Sequence, residues 1–221
     1  MQGRRTVRTM VAGVTLAAAA ALATTGAASG ASPTAQTGEV CTVAAGTGEQ
    51  HCFATLSDAL ESITGEPVTD PGVDAGDHAA IDRTIEAQNA KVLATKANAL
   101  AASTPSLRVA STLTATATSS TGPSNVLGAV WKDKNWSGSA KLLYAANGSG
   151  CYGGTTYGFP HTSAFSMNDK ISSLTTYLNC ATTLYKDANY KSTSRTYQVD
   201  TSYVGDTMND EASSIVYRPR S

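Results

Sequence analysis

A six-residue phrase that occurs twice limits this chain more than any other feature. Asn168-Asp169-Lys170-Ile171-Ser172-Ser173 returns forty-one residues later as Asn209-Asp210-Glu211-Ala212-Ser213-Ser214. An aromatic pair precedes each copy, Trp131 and Trp136 before the first, Tyr185 and Tyr190 before the second, five positions apart in both. An aromatic hairpin followed by a polar turn, repeated in the same order, reads as a duplicated four-strand unit, the mark of paired Greek keys. The runs Lys141-Leu142-Leu143-Tyr144, Ser173 to Leu178, Thr182-Thr183-Leu184-Tyr185 and Ser214-Ile215-Val216-Tyr217 are short, β-prone and separated by Gly, Asn, Asp and Ser. Residues 126–221 are therefore expected to form an antiparallel sandwich.

The aromatic residues point to the same region. Of fourteen Phe, Trp and Tyr, only Phe53 precedes residue 131, and aromatic side chains provide much of the burial energy of a small core. Upstream, residues 32–102 read as an acidic hairpin and helical region. Val40-Cys41-Thr42-Val43 and His51-Cys52-Phe53 flank Gly46-Thr47-Gly48, which predicts a hairpin tied by Cys41 and Cys52. Thr55-Leu56-Ser57-Asp58 resembles a capping box before a short helix that Gly65 ends,. Asp70 to Asp77 reads as a solvated acidic loop, since its spacing is not that of a calcium-loop motif,. Ala79 to Ala102 is expected to be helical, with Ile81, Ile85, Val92 and Leu100 near one face, and Ser/Thr/Ala-rich 103–125 reads as a linker,.

At the start, Arg4, Arg5 and Arg8 precede an uncharged run from Val11 to Ala23 and then small residues. That pattern predicts a secretory signal peptide over 1–31, and no later apolar run reaches the length of a membrane span. The chain is expected to be secreted and extracellular. Without the leader it carries 13 basic and 17 acidic side chains, a net charge of −4, with −6 in 32–125 and +2 in 126–221. Neither half has the basic field that nucleic-acid binding requires. The 32–125 region admits two readings, an interaction arm or a pro-segment. Four cysteines in an exported chain imply two disulfides. Of three connectivities, Cys41–Cys52 with Cys151–Cys180 keeps each pair inside one compositional segment.

The aromatic hairpin and the Asn-Asp-x-x-Ser-Ser loop, twice in order, resemble the βγ-crystallin family, in particular its microbial calcium-binding members. The resemblance covers about 126–219 and implies a mainly β fold: a two-Greek-key antiparallel β-sandwich, preceded here by the disulfide hairpin and α-helical segment. The hairpin pattern of that family is aromatic, four residues, aromatic, any residue, Gly. The first repeat meets it with Gly138, whereas the second has Ser192, which must take a positive φ or relax the turn,. The first repeat is also longer by thirteen residues between hairpin and loop, and these fall in the Gly-rich stretch from Asn147 to His161.

Calcium takes six to eight oxygen ligands. The resemblance implies a paired arrangement in which one loop supplies Asp169, the carbonyl of Lys170 and the hydroxyl of Ser172. The other supplies Asp210, the carbonyl of Glu211 and Ser213, and each key lends oxygens to its partner's site. Asn168 and Asn209 shape the turns, and Ser173 and Ser214 brace the hairpins. With about one carboxylate per site, affinity on the order of 10⁻⁵ to 10⁻³ M is expected, as in extracellular modules. Turn chemistry alone is the competing explanation of the same residues. The domain also resembles crystallin-fold metalloproteinase inhibitors of actinomycetes and killer-toxin-like proteins. The former implies an extracellular protease as an alternative partner, met by a loop over Ala145 to Phe165. His51, His78 and His161 are scattered, no cysteine pair has zinc spacing and no catalytic motif is legible, so a non-enzymatic role is expected,.

Overall fold

A computed structural model describes residues 38–103, 123–146 and 148–221. The expected signal peptide and all but the ends of the expected linker lie outside the described residues.

Seven consecutive residues, Asn125 to Trp131, are buried in one strand, β3 (Asn125–Asp133). A strand buried over seven consecutive residues must be covered on both faces,. Its register shifts between Val126 and Gly128. This bulge turns Val126 to the same side as Ala129 and Trp131, while Leu127 and Val130 face the other way,. At Gly128 a Cβ would collide with the Thr175 carbonyl of the same sheet and with the Tyr217 ring.

β3 lies inside a five-stranded sheet ordered β2 (Gln50–Phe53), β1 (Val40–Ala44), β4 (Ser137–Ala145), β3, β6 (Ser173–Thr176). The second sheet is ordered β5 (Tyr157–Phe159), β9 (Ser214–Pro219), β7 (Cys180–Asp187), β8 (Lys191–Tyr197). Each repeat gives three strands to one sheet and sends its third segment to the other. β5 leaves the first repeat to pair with β9, and Thr201 of the second repeat bridges Leu174 on β6. This exchange makes two interlocked Greek keys. Leu127, Val130, Leu143, Phe159, Phe165, Leu184, Ile215 and Tyr217 fill the space between the sheets. The stretch from Ala145 to Phe165, expected as a loop, is thus partly structural, since β5 is a sheet strand and Phe159 and Phe165 are core residues.

The other face of the five-stranded sheet carries two helices. In α1 (Leu56–Thr64), the Thr55 side chain accepts the Asp58 N–H and Gly65 closes the end at φ 70°, as the capping pattern predicts. The acidic loop has structural work throughout. Asp70 accepts the Gly72 N–H, Asp74 accepts the Ser57 N–H, and Asp77 accepts those of Ala79 and Ala80 at the start of α2 (His78–Ser103). Leu56, Leu60, Ile63, Ile81 and Ile85 pack on Val126, Ala129, Trp131 and Leu142. β1 pairs in parallel with β4 and antiparallel with β2. Hairpin, helices and sandwich therefore share one compact unit. Of the residues expected on one face of α2, Ile81, Ile85 and Val92 are buried, but Leu100 is 72% exposed because the last turns of the helix run past the sheet.

Polar contacts fasten α2 in place. The buried Asn89 amide bonds both the N–H and the carbonyl of Val126, each at 2.9 Å, substituting for a strand partner where β3 begins. His78 stacks on Trp136 at 3.5 Å, and its Nδ1 lies 3.1 Å from Asp82. The Tyr177 hydroxyl donates to Asp82 at 2.6 Å, and the Thr176 N–H donates to Asp200 at 2.8 Å. Burial pushes Asp200 up to about 6, and nearby Asp82 adds to this against the Thr176 N–H and Arg220. Burial holds His78 below its usual range against the pull of Asp82 and Asp77.

The two aromatic hairpins fold identically. Asn135, Trp136 and Gly138 have φ of 56°, 54° and 76°, and Asn189, Tyr190 and Ser192 have 59°, 62° and 66°. Ser173 donates to the Asp133 carbonyl at 2.6 Å and accepts the Trp136 N–H at 3.1 Å. Ser214 does the same for Asp187 and Tyr190, at 2.7 and 3.0 Å. Ser192 thus adopts the left-handed conformation that the pattern assigns to Gly.

Three outcomes are expected. Ile81→Ala, which empties the helix–sheet core, should lower the urea-unfolding free energy by about 2–5 kcal/mol. Ser192→Gly should raise it by roughly 1 kcal/mol by removing the left-handed penalty. The folded chain binds the Asp200 proton more tightly than the unfolded chain does, since its value rises from 3.8 to about 6. That contribution is complete below about pH 4 and lost as pH rises through 6. Asp200→Asn should therefore melt above the wild type at pH 7.5, with the gap closing towards pH 4.

Candidate metal centre

The two Asn-Asp-x-x-Ser-Ser loops lie against each other. Asp169 and Asp210 occupy the same turn position, with φ of 54° and 55°. The Asp169 N–H donates to the Ala212 carbonyl at 3.2 Å, and the Asp210 N–H donates to the Ile171 carbonyl at 3.3 Å. Each loop is also tied to the first aromatic residue of a hairpin. The Ser172 N–H reaches the Trp131 carbonyl at 3.0 Å, and that of Ser213 reaches Tyr185 at 2.9 Å.

These backbone contacts carry the side chains across the pseudo-symmetry. Ser213 Oγ lies 3.3 Å from Asp169 Oδ1, and Ser172 Oγ lies 3.4 Å from Asp210 Oδ1. The resemblance implied that each loop contributes a carboxylate, a carbonyl and a hydroxyl and lends oxygens to its partner's site. In three dimensions the carboxylate of one loop meets the hydroxyl of the other. Each carboxylate is oriented by its neighbour, Asn168 Nδ2 donating to Asp169 at 2.7 Å and Asn209 Nδ2 to Asp210 at 2.6 Å. The Asn168 carbonyl oxygen accepts from Thr162 at 3.4 Å, but that of Asn209 is buried without a hydrogen-bond partner. The side chains of Lys170 and Glu211 are engaged elsewhere, Lys170 with the Ser166 carbonyl and Glu211 with Lys186, each at 3.3 Å. Only the backbone of these two residues is left to serve the clusters.

Each cluster offers one carboxylate, one hydroxyl, one carboxamide and nearby carbonyls, oxygen donors without nitrogen or sulfur. That donor set suits a hard divalent cation and no soft one. Asp169 and Asp210 are exposed, while Ser172 and Ser213 are buried, so each cluster opens to solvent on its carboxylate side.

A second group was not expected. One ligand atom from each of His78, Asp82 and Asp200 lies within 4.8 Å of the others. The His78–Asp82 pair, four apart on a helix, was legible in the sequence as a same-face pair. Asp200 was not, because it arrives from the segment after β8. Both expected disulfides form, Cys41–Cys52 across β1 and β2 and Cys151–Cys180 between the long loop and the start of β7. Among the described residues, no helix is long and apolar enough to cross a membrane.

No protein-family model and no curated protein matches the chain. Solved structures do. A doubly substituted βγ-crystallin domain from Clostridium beijerinckii is 25% identical, with 41% of this chain and 96% of that one covered and a TM-score of 0.34. A βγ-crystallin domain from Flavobacterium johnsoniae is 28% identical over 42% of this chain and 94% of its own, TM-score 0.33. A doubly substituted clostrillin in complex with nickel is 24% identical over 42% and 97%, TM-score 0.34. The strand order, the segment each repeat exchanges and the twice-repeated hairpin and loop give residues 125–219 the two-Greek-key β-sandwich that the resemblance to the βγ-crystallins implies.

Proposed function

We propose that the chain is a secreted, calcium-binding βγ-crystallin-like protein with a structural or interaction role and no catalysis of its own. The observation that carries this reading is the reciprocal crossing of Asp169 with Ser213 and of Asp210 with Ser172. One ion would take Asp169, Ser213 and the carbonyl of Glu211, with Asn168 beside it. The other would take Asp210, Ser172 and the carbonyl of Lys170, with Asn209 supplying its unpartnered oxygen. The backbone register that lays Asp169 against Ala212 and Asp210 against Ile171 supports this assignment.

In this role the metal is a clamp. Each ion would draw ligands from both Greek keys, so it binds the folded chain and not the unfolded one. Stabilisation follows by mass action, about 2.7 kcal/mol when the ion is at a hundred times its dissociation constant. One carboxylate per site keeps the affinity low, which suits extracellular calcium concentrations. Magnesium competes poorly because it demands octahedral geometry and sheds water reluctantly. The leader-like start and two disulfides agree with an oxidising destination,.

Thermal melts of the mature chain in millimolar calcium and in chelator test the reading. A higher midpoint with calcium is expected, reduced by Asp169→Ala and by Asp210→Ala separately and abolished in the double variant. An unchanged midpoint in millimolar calcium would leave the loops as turn structure alone.

A further inference from the structure

Lys141 sits on β4 with only 2% of its side chain exposed, and the calcium sites make no use of it. The parallel register of β1 and β4 places it beside Cys41, and the antiparallel register of β1 and β2 places Cys41 beside Cys52. The three residues form one row across three strands. Lys141 Nζ lies 2.9 Å from Cys41 Sγ, and its carboxylate neighbour Glu39 is 3.8 Å away and 61% exposed. At the other sulfur, Gln50 Nε2 donates to Cys52 Sγ at 2.9 Å. Cys41 is wholly buried, whereas Cys52 is exposed.

An ammonium gains little from a neutral disulfide sulfur and much from a thiolate. The arrangement therefore favours the reduced form, and a disulfide whose reduced form is stabilised is a labile one. Burial already lowers the affinity of Lys141 for its proton, with Lys170 acting in the same direction and Glu39 opposing. A thiolate at Cys41 would restore that affinity. The second disulfide differs. Cys151 and Cys180 are both fully buried in the core between the sheets.

We propose that Cys41–Cys52 is a thiol-exchange site for low-molecular-weight thiols, attacked at Cys52, with Lys141 holding the departing Cys41 as its thiolate. In the first step a thiolate RS⁻ bonds to Cys52 Sγ as the S–S bond breaks, and the electron pair leaves on Cys41 Sγ beside the Lys141 ammonium. A second thiolate attacks the external sulfur of the mixed disulfide and releases RSSR with Cys52 as a thiolate, which takes a proton from water. Two thiols are oxidised and one protein disulfide is reduced. β1 is paired by its backbone with both β4 and β2, so opening the disulfide leaves the pairing of the sheet in place.

The test equilibrates the mature chain in graded reduced and oxidised glutathione, then maps free thiols by alkylation and mass spectrometry. Cys41–Cys52 should open while Cys151–Cys180 stays closed. In Lys141→Met, opening should need about a ten-fold more reducing glutathione ratio, about 30 mV for this two-electron couple. Closure of Cys151–Cys180 reports that the variant is folded. Independently, the pH dependence of thiolate ultraviolet absorbance in Cys52→Ser, where Cys41 is left as a free thiol, should give an apparent value at least one unit below the ordinary thiol value of about 8.5. A Cys41 value at or above about 8.5, or joint opening of both disulfides in the wild type, would overturn the proposal, and so would an unchanged ratio in a folded Lys141→Met.

Discussion

Burial of β3 on both faces is the constraint on which the rest of the molecule depends. Its inner side chains, Leu127 and Val130, need the second sheet, and its outer ones, Val126, Ala129 and Trp131, need the helices. A bulge after Val126 sorts them between the two sides. A two-sheet sandwich alone would leave Trp131 and Leu142 in water, so α1 and α2 complete a core rather than decorate one. The same demand explains why the β1–β2 hairpin joins the edge of the sheet beside β4: it extends the surface on which the helices rest.

Exchange between the repeats governs the opposite end of the logic. Because each repeat sends a segment to the other's sheet, the Asn-Asp-x-x-Ser-Ser loops are brought face to face and their side chains cross. Duplication in the sequence thus becomes two clusters in space, each with a carboxylate from one repeat and a hydroxyl from the other. A cation there would reinforce the contact between repeats that the core already makes, which is why low affinity is enough for a structural role. The Cys41–Lys141 row is set instead by strand register across β2, β1 and β4.

Local features were legible because their causes are local. The capping pattern at Thr55, the Gly65 stop, the Cys41–Cys52 hairpin and the bracing roles of Ser173 and Ser214 each depend on residues a few positions apart or on a motif read twice. Ser192 could be recognised as a departure, and the strain it accepts is visible in its φ of 66°. Reading failed where a contact joins distant segments. Leu100 has the spacing of a core residue, but only the packed structure shows that α2 outruns the sheet at that point. The acidic loop looked merely solvated, yet its carboxylates hold turns and cap a helix.

By itself the sequence determined the duplicated unit and the positions of its hairpins and oxygen-rich loops, since periodicity, turn chemistry and short loops act over a few residues. Only the tertiary structure decided that Asp169 meets Ser213, that Asp200 joins His78 and Asp82, and that Lys141 lies against Cys41 one hundred residues away. These are consequences of strand exchange and of which sheet edge a hairpin joins. Both are set by the summed burial of many side chains, a quantity that no single stretch of sequence contains.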